Sequence, residues 1–220
     1  MKKVAALCIV IVFAAGCSVA VPFKELEPGP VDAADPHIAA ESFKQRIPAS
    51  FHLLSSIVFE YNWFTVAGLG YVDITPGDGK YKVVCMNLMG VKLFEFEGDR
   101  GGIISQYAVE PLARQGNIAL AVGTDIKRVY LDLLPSADAH AFRRGSAVVF
   151  RQRSGDGALE YAFIAGKLAS KTYREDHRAA WRVSYYEYTE KDGKLYPLGI
   201  IFTNYRYGYR LIVRQKEIRG

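Results

Sequence analysis

The chain has 220 residues, of which 50% are hydrophobic and 13% aromatic, and its formal net charge is +5. This length is enough for one domain with a sizeable apolar core. The positive excess is small and is not gathered into a run of lysine and arginine, so we do not expect a nucleic-acid partner. Fourteen tyrosines favour a β-rich fold.

The first residues have the pattern of an export signal. Two lysines precede an apolar run from Val4 to Phe13, which is too short to cross a bilayer as a helix, since that takes about 20 residues. Three small residues then precede Cys17. This arrangement resembles the lipobox of bacterial lipoproteins, and it implies removal of residues 1–16 and attachment of acyl chains to Cys17. The alternative is an ordinary secretory signal followed by an incidental cysteine.

The residue after the cysteine bears on location. Ser18 stands there instead of aspartate. By resemblance to the sorting rule of enteric bacteria, this implies the outer membrane, with the protein lipid-anchored through Cys17 and facing the periplasm. Each buried methylene of the acyl chains contributes about 0.8 kcal/mol to anchoring. Cys85 is then the one cysteine left for the folded domain, so no intrachain disulfide is expected and a buried thiol is predicted.

Residues 17–36 contain four prolines and little apolar periodicity, which predicts an extended tether after the lipidated cysteine. Residues 37–46 are predicted as a short helix with Ile38, Phe43 and Ile47 loosely on one face. Because no internal repeat or second boundary is visible, residues 37–220 are predicted to form a single domain.

From Phe51 onwards, branched and aromatic residues between turn residues predict antiparallel strands. The predicted strands are 53–61, 64–74, 80–88, 91–97, 146–153, 159–173, 181–189, 195–204 and 205–214. In the last of them Arg206, Arg210 and Arg214 alternate with apolar residues, which predicts a basic face. That face is either solvated or directed at anionic headgroups or an acidic partner.

One amphipathic helix is predicted over residues 117–134, because apolar residues recur there at spacings of three and four. Its stripe comprises Ile118, Val122, Ile126, Val129 and Leu133. A sheet of about ten strands curls rather than staying flat, and its concave face is the natural place for that stripe. The predicted fold class is therefore mainly β, a curved antiparallel sheet or half-open β-barrel with a helical lid. Trp63 and Trp181 are expected in the core or in the lining of a cavity.

This order of elements resembles the LolA/LolB family of lipoprotein carriers and acceptors over roughly residues 51–220. The most specific stretch is Asn87-Leu88-Met89-Gly90, which matches three of the four positions of the Asn-Pro-Leu-Gly loop of LolB, with Leu88 in place of proline. The tryptophan-rich motif that follows the lid helix of LolB is replaced here by residues 132–135. The resemblance implies an apolar cavity beneath the helix. It also implies that Met89, with Leu88, projects to assist membrane insertion; the alternative is that both fold back onto the core.

No constellation of catalytic chemistry is visible. The four histidines lack metal-ligand spacing, and no nucleophile motif is present. Asp125, on the predicted helix, is expected to be solvated or paired with Arg128. We therefore predict no catalytic residue, no metal and no cofactor, and we do not expect an enzyme.

Two functions are compatible with these features. In the first, the lid stripe and the two tryptophans line a cavity that binds acyl chains of lipoproteins or lipids for envelope trafficking, with a periplasmic carrier protein as a further partner. In the second, a structural or assembly lipoprotein uses the same fold, with a fully packed interior, to bind an envelope protein. The two functions differ in whether the space beneath the helix is an open cavity or is filled with side chains.

Overall fold

A computed structural model describes residues 21–29, 36–113 and 118–219. Three helices lie in these ranges: α1 (Pro36–Gln45), α2 (Glu110–Ala113) and α3 (Ile118–Tyr130). The predicted export signal, Cys17 and residues 30–35 lie outside the described residues. Among the described helices, none combines the length and apolar character needed to cross a bilayer.

The strands form one antiparallel sheet of twelve members, in the order β5-β4-β3-β2-β1-β12-β11-β10-β9-β8-β7-β6. The first and last strands therefore pair with each other near its centre, and each other neighbouring pair is consecutive in sequence. The strands are β1 (Phe51–Tyr61), β2 (Phe64–Thr75), β3 (Lys80–Met86), β4 (Lys92–Gly98), β5 (Ile103–Ala108), β6 (His140–Arg144), β7 (Ala147–Ser154), β8 (Gly157–Ile164), β9 (Lys167–Glu175), β10 (Arg178–Lys191), β11 (Lys194–Asn204) and β12 (Tyr209–Arg219).

Tight turns with positive φ angles connect many of these strands. Asp192 and Gly193, at φ 52° and 71°, join β10 to β11, and Ala165 and Gly166, at 48° and 67°, join β8 to β9. Turns of this type match the twist of antiparallel strands. The turn at Ala165 divides the predicted strand 159–173 into two.

Other differences from the predicted elements have local causes. β12 starts at Tyr209 and not at Tyr205, because the Tyr207 amide donates to the Asn204 side-chain oxygen at 3.1 Å and closes a turn. β5 and β6 were not predicted, since they are only six and five residues long. The helix predicted over 117–134 ends at Tyr130, and Asp132 adopts a positive φ of 49°.

The core lies between the inner face of the sheet and the helices α1 and α3. Phe43, the one buried residue of α1, packs edge-on against Phe163 at 5.7 Å between ring centroids. Ile38 is exposed, so the predicted apolar face of α1 is narrower than expected. The prediction of a buried thiol is confirmed, and burial raises the pKa of Cys85 to about 11. The other fully buried large side chains include Leu53, Ile74, Phe96, Phe150, Tyr161, Phe202, Leu168 and Ile200.

Residues 21–29, predicted as part of the tether, pack onto the sheet. The Phe23 ring is buried and stacks on Tyr186 at 5.4 Å between centroids. It fits there because Gly199 has no side chain; a Cβ at that position would lie 2.4 Å from the ring. The Arg214 guanidinium lies 4.6 Å from the ring centroid and donates to the Pro22 carbonyl at 2.7 Å. Pro22 and Phe23 therefore hold this segment against the domain.

Candidate functional site

The apolar stripe of α3 faces the concave side of the sheet, as predicted. Ile126 and Val129 are buried, and Val122 and Leu133 pack against the same core. Trp181 is buried beneath the helix, where the Arg128 guanidinium lies 5.2 Å from its ring centroid. Trp181 belongs to the same core cluster as Ile126 and Val129, and their role in binding a ligand stays a prediction.

The space beneath the C-terminal end of α3 is filled with side chains. The cavity there has a volume of about 10 Å³, which is room for one water molecule at most. An acyl chain does not fit there in this conformation. At this point the described residues therefore show the packed interior of the second sequence-based alternative and not the open cavity of the first. The residues that fill and line the space are Phe43, Ile47, Pro48, Phe51, Val129, Tyr130, Leu133, Tyr185, Tyr188, Leu195 and Pro197.

Two buried polar side chains of the sheet hold the C-terminal end of α3. The Lys171 ammonium group donates to the carbonyls of Leu131 and Asp132 at 2.8 and 3.3 Å, and the Tyr185 hydroxyl donates to the Val129 carbonyl at 2.6 Å. These carbonyls have no partner within the helix, so the contacts satisfy them. Burial lowers the pKa of Lys171 to about 7, although Asp132 partly opposes the shift.

A second contact joins the middle of α3 to β12. The Tyr209 hydroxyl donates to the Asp125 carboxylate, which also accepts from Arg128 at 3.1 Å. The Asn204 amide in turn donates to Tyr209 at 3.2 Å. Burial raises the pKa of Asp125 to about 6 against the opposing effects of Tyr209 and Arg128. The predicted pairing of Asp125 with Arg128 is confirmed, and Tyr209 is an addition that the sequence did not reveal.

The N-terminal half of α3 contains a weak point. Gly123 lies directly over Tyr81, and a Cβ at Gly123 would be 2.5 Å from the Tyr81 hydroxyl oxygen. That hydroxyl is buried without a hydrogen-bond partner among the described residues. An unsatisfied buried hydroxyl costs about 1–3 kcal/mol. Hydrogen bonds from the sheet therefore hold the C-terminal end and the middle of α3, whereas its N-terminal half packs on the unpaired Tyr81 hydroxyl.

The loop that matches the family motif projects into solvent. The Asn87 side-chain oxygen accepts from the amides of Met89 at 3.0 Å and Val91 at 2.9 Å, and Gly90 takes a φ of 82°. This turn leaves Leu88 71% and Met89 85% exposed. The alternative in which both side chains fold back onto the core is wrong.

Trp63 does not line the interior, which corrects the sequence-based expectation. Its side chain is 101% exposed. The reason is its place in the turn between β1 and β2, next to Asn62 at a φ of 52°, where the sheet ends and none of the described elements covers it.

The basic face predicted for the last strand is neutralised by carboxylates. Arg206 pairs with Glu175, Arg210 with Glu60 at 2.7 Å, and Arg214 with Glu187 at 3.3 Å. These arginines therefore do not form a free cationic surface for anionic headgroups. No group of residues within the described ranges has the composition of a metal site.

A larger hollow, of about 270 Å³, lies across β7 to β10. Buried Glu160 lines it, and the neighbouring Arg151, Arg144 and Arg174 hold the pKa of that carboxyl below its usual value despite burial. Arg182, Ser170 and Thr172 also line the hollow. Apolar Val149, Ala162 and Ile164 line it as well, so the hollow combines apolar walls with a charged cluster.

Comparison with known proteins identifies the fold but gives no sequence relative. No protein-family model and no curated protein matches the chain. A LolA superfamily protein from Nitrosomonas europaea has a similar structure, with a TM-score of 0.55 at 9% identity over 85% of this chain and 94% of its own. A structure described as an outer membrane lipoprotein-sorting protein domain from Vibrio parahaemolyticus has a TM-score of 0.53 at 10% identity. The match covers 84% of this chain and 93% of that domain. The chain therefore has a LolA/LolB-like fold, an open curved antiparallel sheet covered by helices.

Proposed function

We propose that the protein is an outer-membrane lipoprotein, anchored through Cys17, that takes up acyl chains of lipoproteins or other lipids between α3 and the concave face of the sheet. The observation that supports this most is the apolar stripe of α3 on an aromatic-lined concave face, held by a small set of polar contacts. Its likeness in fold to a lipoprotein-sorting domain agrees with this role. A periplasmic carrier protein is the proposed donor of the cargo, and no chemical step is involved.

The filled interior requires that α3 moves when a ligand enters. A permanently empty apolar cavity would destabilise the fold through lost packing, so the ligand-free protein gains by filling it with the helix. An entering acyl chain would replace those contacts at about 0.8 kcal/mol for each buried methylene. We propose that the N-terminal half of α3 yields first, because Tyr81 is unpaired there while Lys171 and Tyr185 hold the other end.

A disulfide that locks this half of the helix tests the proposal. A Cβ at Gly123 would lie 3.4 Å from Cγ1 of Ile103 on β5, so cysteines at the two positions can approach bonding distance. The variant carries Ile103→Cys, Gly123→Cys and Tyr81→Phe, the last to remove the clashing hydroxyl, in the unlipidated Cys17→Ala chain. Cys85 is buried with a raised pKa and does not compete.

The measurement is binding of a fluorescent fatty acid before and after reduction. We expect the oxidised variant to bind at least tenfold more weakly than the reduced one, and Cys17→Ala with Tyr81→Phe alone to bind equally in both conditions. Equal binding by the oxidised and reduced forms would show that α3 does not move. Absence of binding in every form would refute acyl-chain uptake.

The packed interior also favours a second candidate, a structural or assembly lipoprotein that binds an envelope protein. Native mass spectrometry of the Cys17→Ala chain purified from cells separates the two. Co-purified lipid supports uptake of acyl chains. A stoichiometric protein partner with no lipid supports the assembly role.

A further inference from the structure

Three turns with exposed apolar side chains are neighbours at one end of the sheet. They are the β1–β2 turn at 62–63, the β11–β12 turn at 205–208 and the β3–β4 turn at 87–91. Tyr61 pairs with Phe64 on one side and with Tyr209 on the other. The β1–β2 and β11–β12 turns therefore start at the same height along the strands. The third belongs to the hairpin next to β2. The sheet therefore brings the turn at 205–208 next to two turns that lie more than 100 residues earlier in the sequence.

The exposed side chains of these turns form what we call the tip surface: Trp63, Phe64, Leu88, Met89, Tyr205 and Tyr207. Single exposed apolar residues are normal on proteins, but a contiguous group marks a contact site. Here three consecutive hairpins carry such residues at the same end, and two of them carry aromatic rings with a polar atom. Tryptophan and tyrosine with this chemistry concentrate at the headgroup level of bilayers.

The backbone beside the tip surface limits how deeply it can enter a membrane. β3 ends opposite Leu69, so residues 64–68 of β2 project beyond it without a strand partner on that side among the described residues. Unpaired amides and carbonyls cannot enter the hydrocarbon region, where no water satisfies them. Contact at the headgroup level keeps this backbone hydrated while the side chains reach the boundary of the acyl chains.

Charge near the tip surface is balanced. Arg206 pairs with Glu175, and Lys92 pairs with Glu95 at 2.5 Å. Because neither cation is free, attraction to anionic lipid is not the driving force. The driving force is instead the partition of apolar side chains into the membrane interface, which depends little on salt.

The position of the N-terminal segment brings the tip surface within reach of an anchored lipid. Pro22 is fixed to Arg214, which lies five residues along β12 from Tyr209, about 17 Å. Cys17 precedes Val21 by four residues, which span at most about 14 Å. A bilayer that holds the lipid of Cys17 therefore lies close enough to meet the tip surface.

We propose that the β1–β2 and β11–β12 turns dock on the headgroup region of a lipid bilayer, with Trp63 as the principal anchor and Tyr205 and Tyr207 beside it. Insertion of the neighbouring turn of Leu88 and Met89 is what the resemblance to LolB already implies, and the new element is the aromatic part of the tip surface. This goes beyond uptake of acyl chains, since it needs neither a cavity nor movement of α3. It rests on the proposed lipidation of Cys17 only in choosing a bilayer as the partner.

The test uses the intrinsic fluorescence of the Cys17→Ala chain with phosphatidylcholine vesicles. The chain has two tryptophans, so Trp181→Phe leaves Trp63 as the single probe. We expect its emission to shift to shorter wavelength on vesicles. We also expect stronger quenching by lipids brominated near the headgroup than by lipids brominated near the chain end. The matched variant Trp63→Phe retains only the buried Trp181, and its spectrum should not change.

Substitutions then map the surface. Leu88→Ser with Met89→Ser, and separately Tyr205→Ser with Tyr207→Ser, should each lower the vesicle partition coefficient about tenfold. Ile104→Ser is the control, because Ile104 is 69% exposed but lies on β5 next to the turn at 99–102, at the opposite end of the sheet. The partition coefficient of Ile104→Ser should equal that of the parent chain, and added salt should leave both values unchanged.

Three results would overturn the proposal: an unchanged Trp63 spectrum on vesicles, an equal loss of partition in Ile104→Ser, or a blue shift that depends on protein concentration without vesicles. The last would assign the tip surface to contact between two copies of the chain. The tip variants should keep their fatty-acid binding in solution, and the disulfide-locked variant should keep its vesicle binding. Failure of one proposal is therefore distinguishable from failure of the other.

Discussion

At the scale of single residues, Lys171 is a buried amine that holds the end of a helix. Its position in a strand rich in polar residues gave no sign of this, because its partners Leu131 and Asp132 lie 40 and 39 residues earlier in the chain. Loss of solvation is the main cause of its low pKa. The residue therefore couples closure of α3 to pH.

The sign of this coupling follows from the two protonation states. The pKa of Lys171 falls from 10.5 to about 7 on folding, so its stabilising contribution is complete above 10.5 and is lost as pH falls towards 7. We expect the free energy of unfolding to rise between pH 7 and 8.5, by at most about 1.4 kcal/mol per pH unit. Chemical denaturation at several pH values measures it. Lys171→Met should abolish the rise and Lys216→Met should preserve it; a rise retained in Lys171→Met would contradict the assignment.

Tyr81 and Tyr185 make a matched pair of buried tyrosines with opposite predictions. Tyr81→Phe removes an unsatisfied hydroxyl, so the free energy of unfolding should increase by about 1 kcal/mol. Tyr185→Phe removes the donor to the Val129 carbonyl, so the free energy of unfolding should decrease by about 1–3 kcal/mol. Urea unfolding of both variants checks this. A loss in Tyr81→Phe as large as that in Tyr185→Phe would mean that the Tyr81 hydroxyl has a partner.

At the scale of elements, periodicity was enough to predict most strands and α3, but it could not predict what lies outside them. The stripe from Val122 to Leu133 faces the core because a helical repeat fixes one side of the element. Trp63 was misplaced because the same pattern cannot tell whether an apolar residue at the end of a strand is covered by another layer. Tyr209 and Asp125 are 84 residues apart, and only the order of the strands brings them together.

Residues 21–29 have no regular secondary structure, and they pack on the sheet only because Gly199 has no side chain. Gly199→Val would place atoms where the Phe23 ring lies, so we expect this segment to detach. Limited proteolysis should then cleave within residues 21–29 faster than in the parent chain, while the domain from 36 onwards remains intact. Phe23→Ala should behave likewise and Gly193→Ala should not; protection retained in Gly199→Val would show that Phe23 does not hold the segment.

At the scale of the whole molecule, the proposed sites occupy different parts of one sheet. α3 covers the concave face, the tip surface lies at one end, and residues 21–29 run over a separate face. Acyl chains leaving the space under α3 would have only to reach the end of the sheet to meet a bilayer. The proposed uptake under α3 and the proposed docking of the turns would therefore involve different residues.

The pairing of β1 with β12 has a consequence for how the protein matures. The strand that connects the two halves of the sheet is the last of the twelve to be synthesised, and its partner begins about 160 residues earlier, as Ser55 and Gln215 illustrate. A chain threaded across a membrane from its N-terminus thus cannot complete the sheet until nearly all of it has emerged. Pairing of β12 with β1 is therefore the last strand contact of this sheet that the chain can complete as it is synthesised.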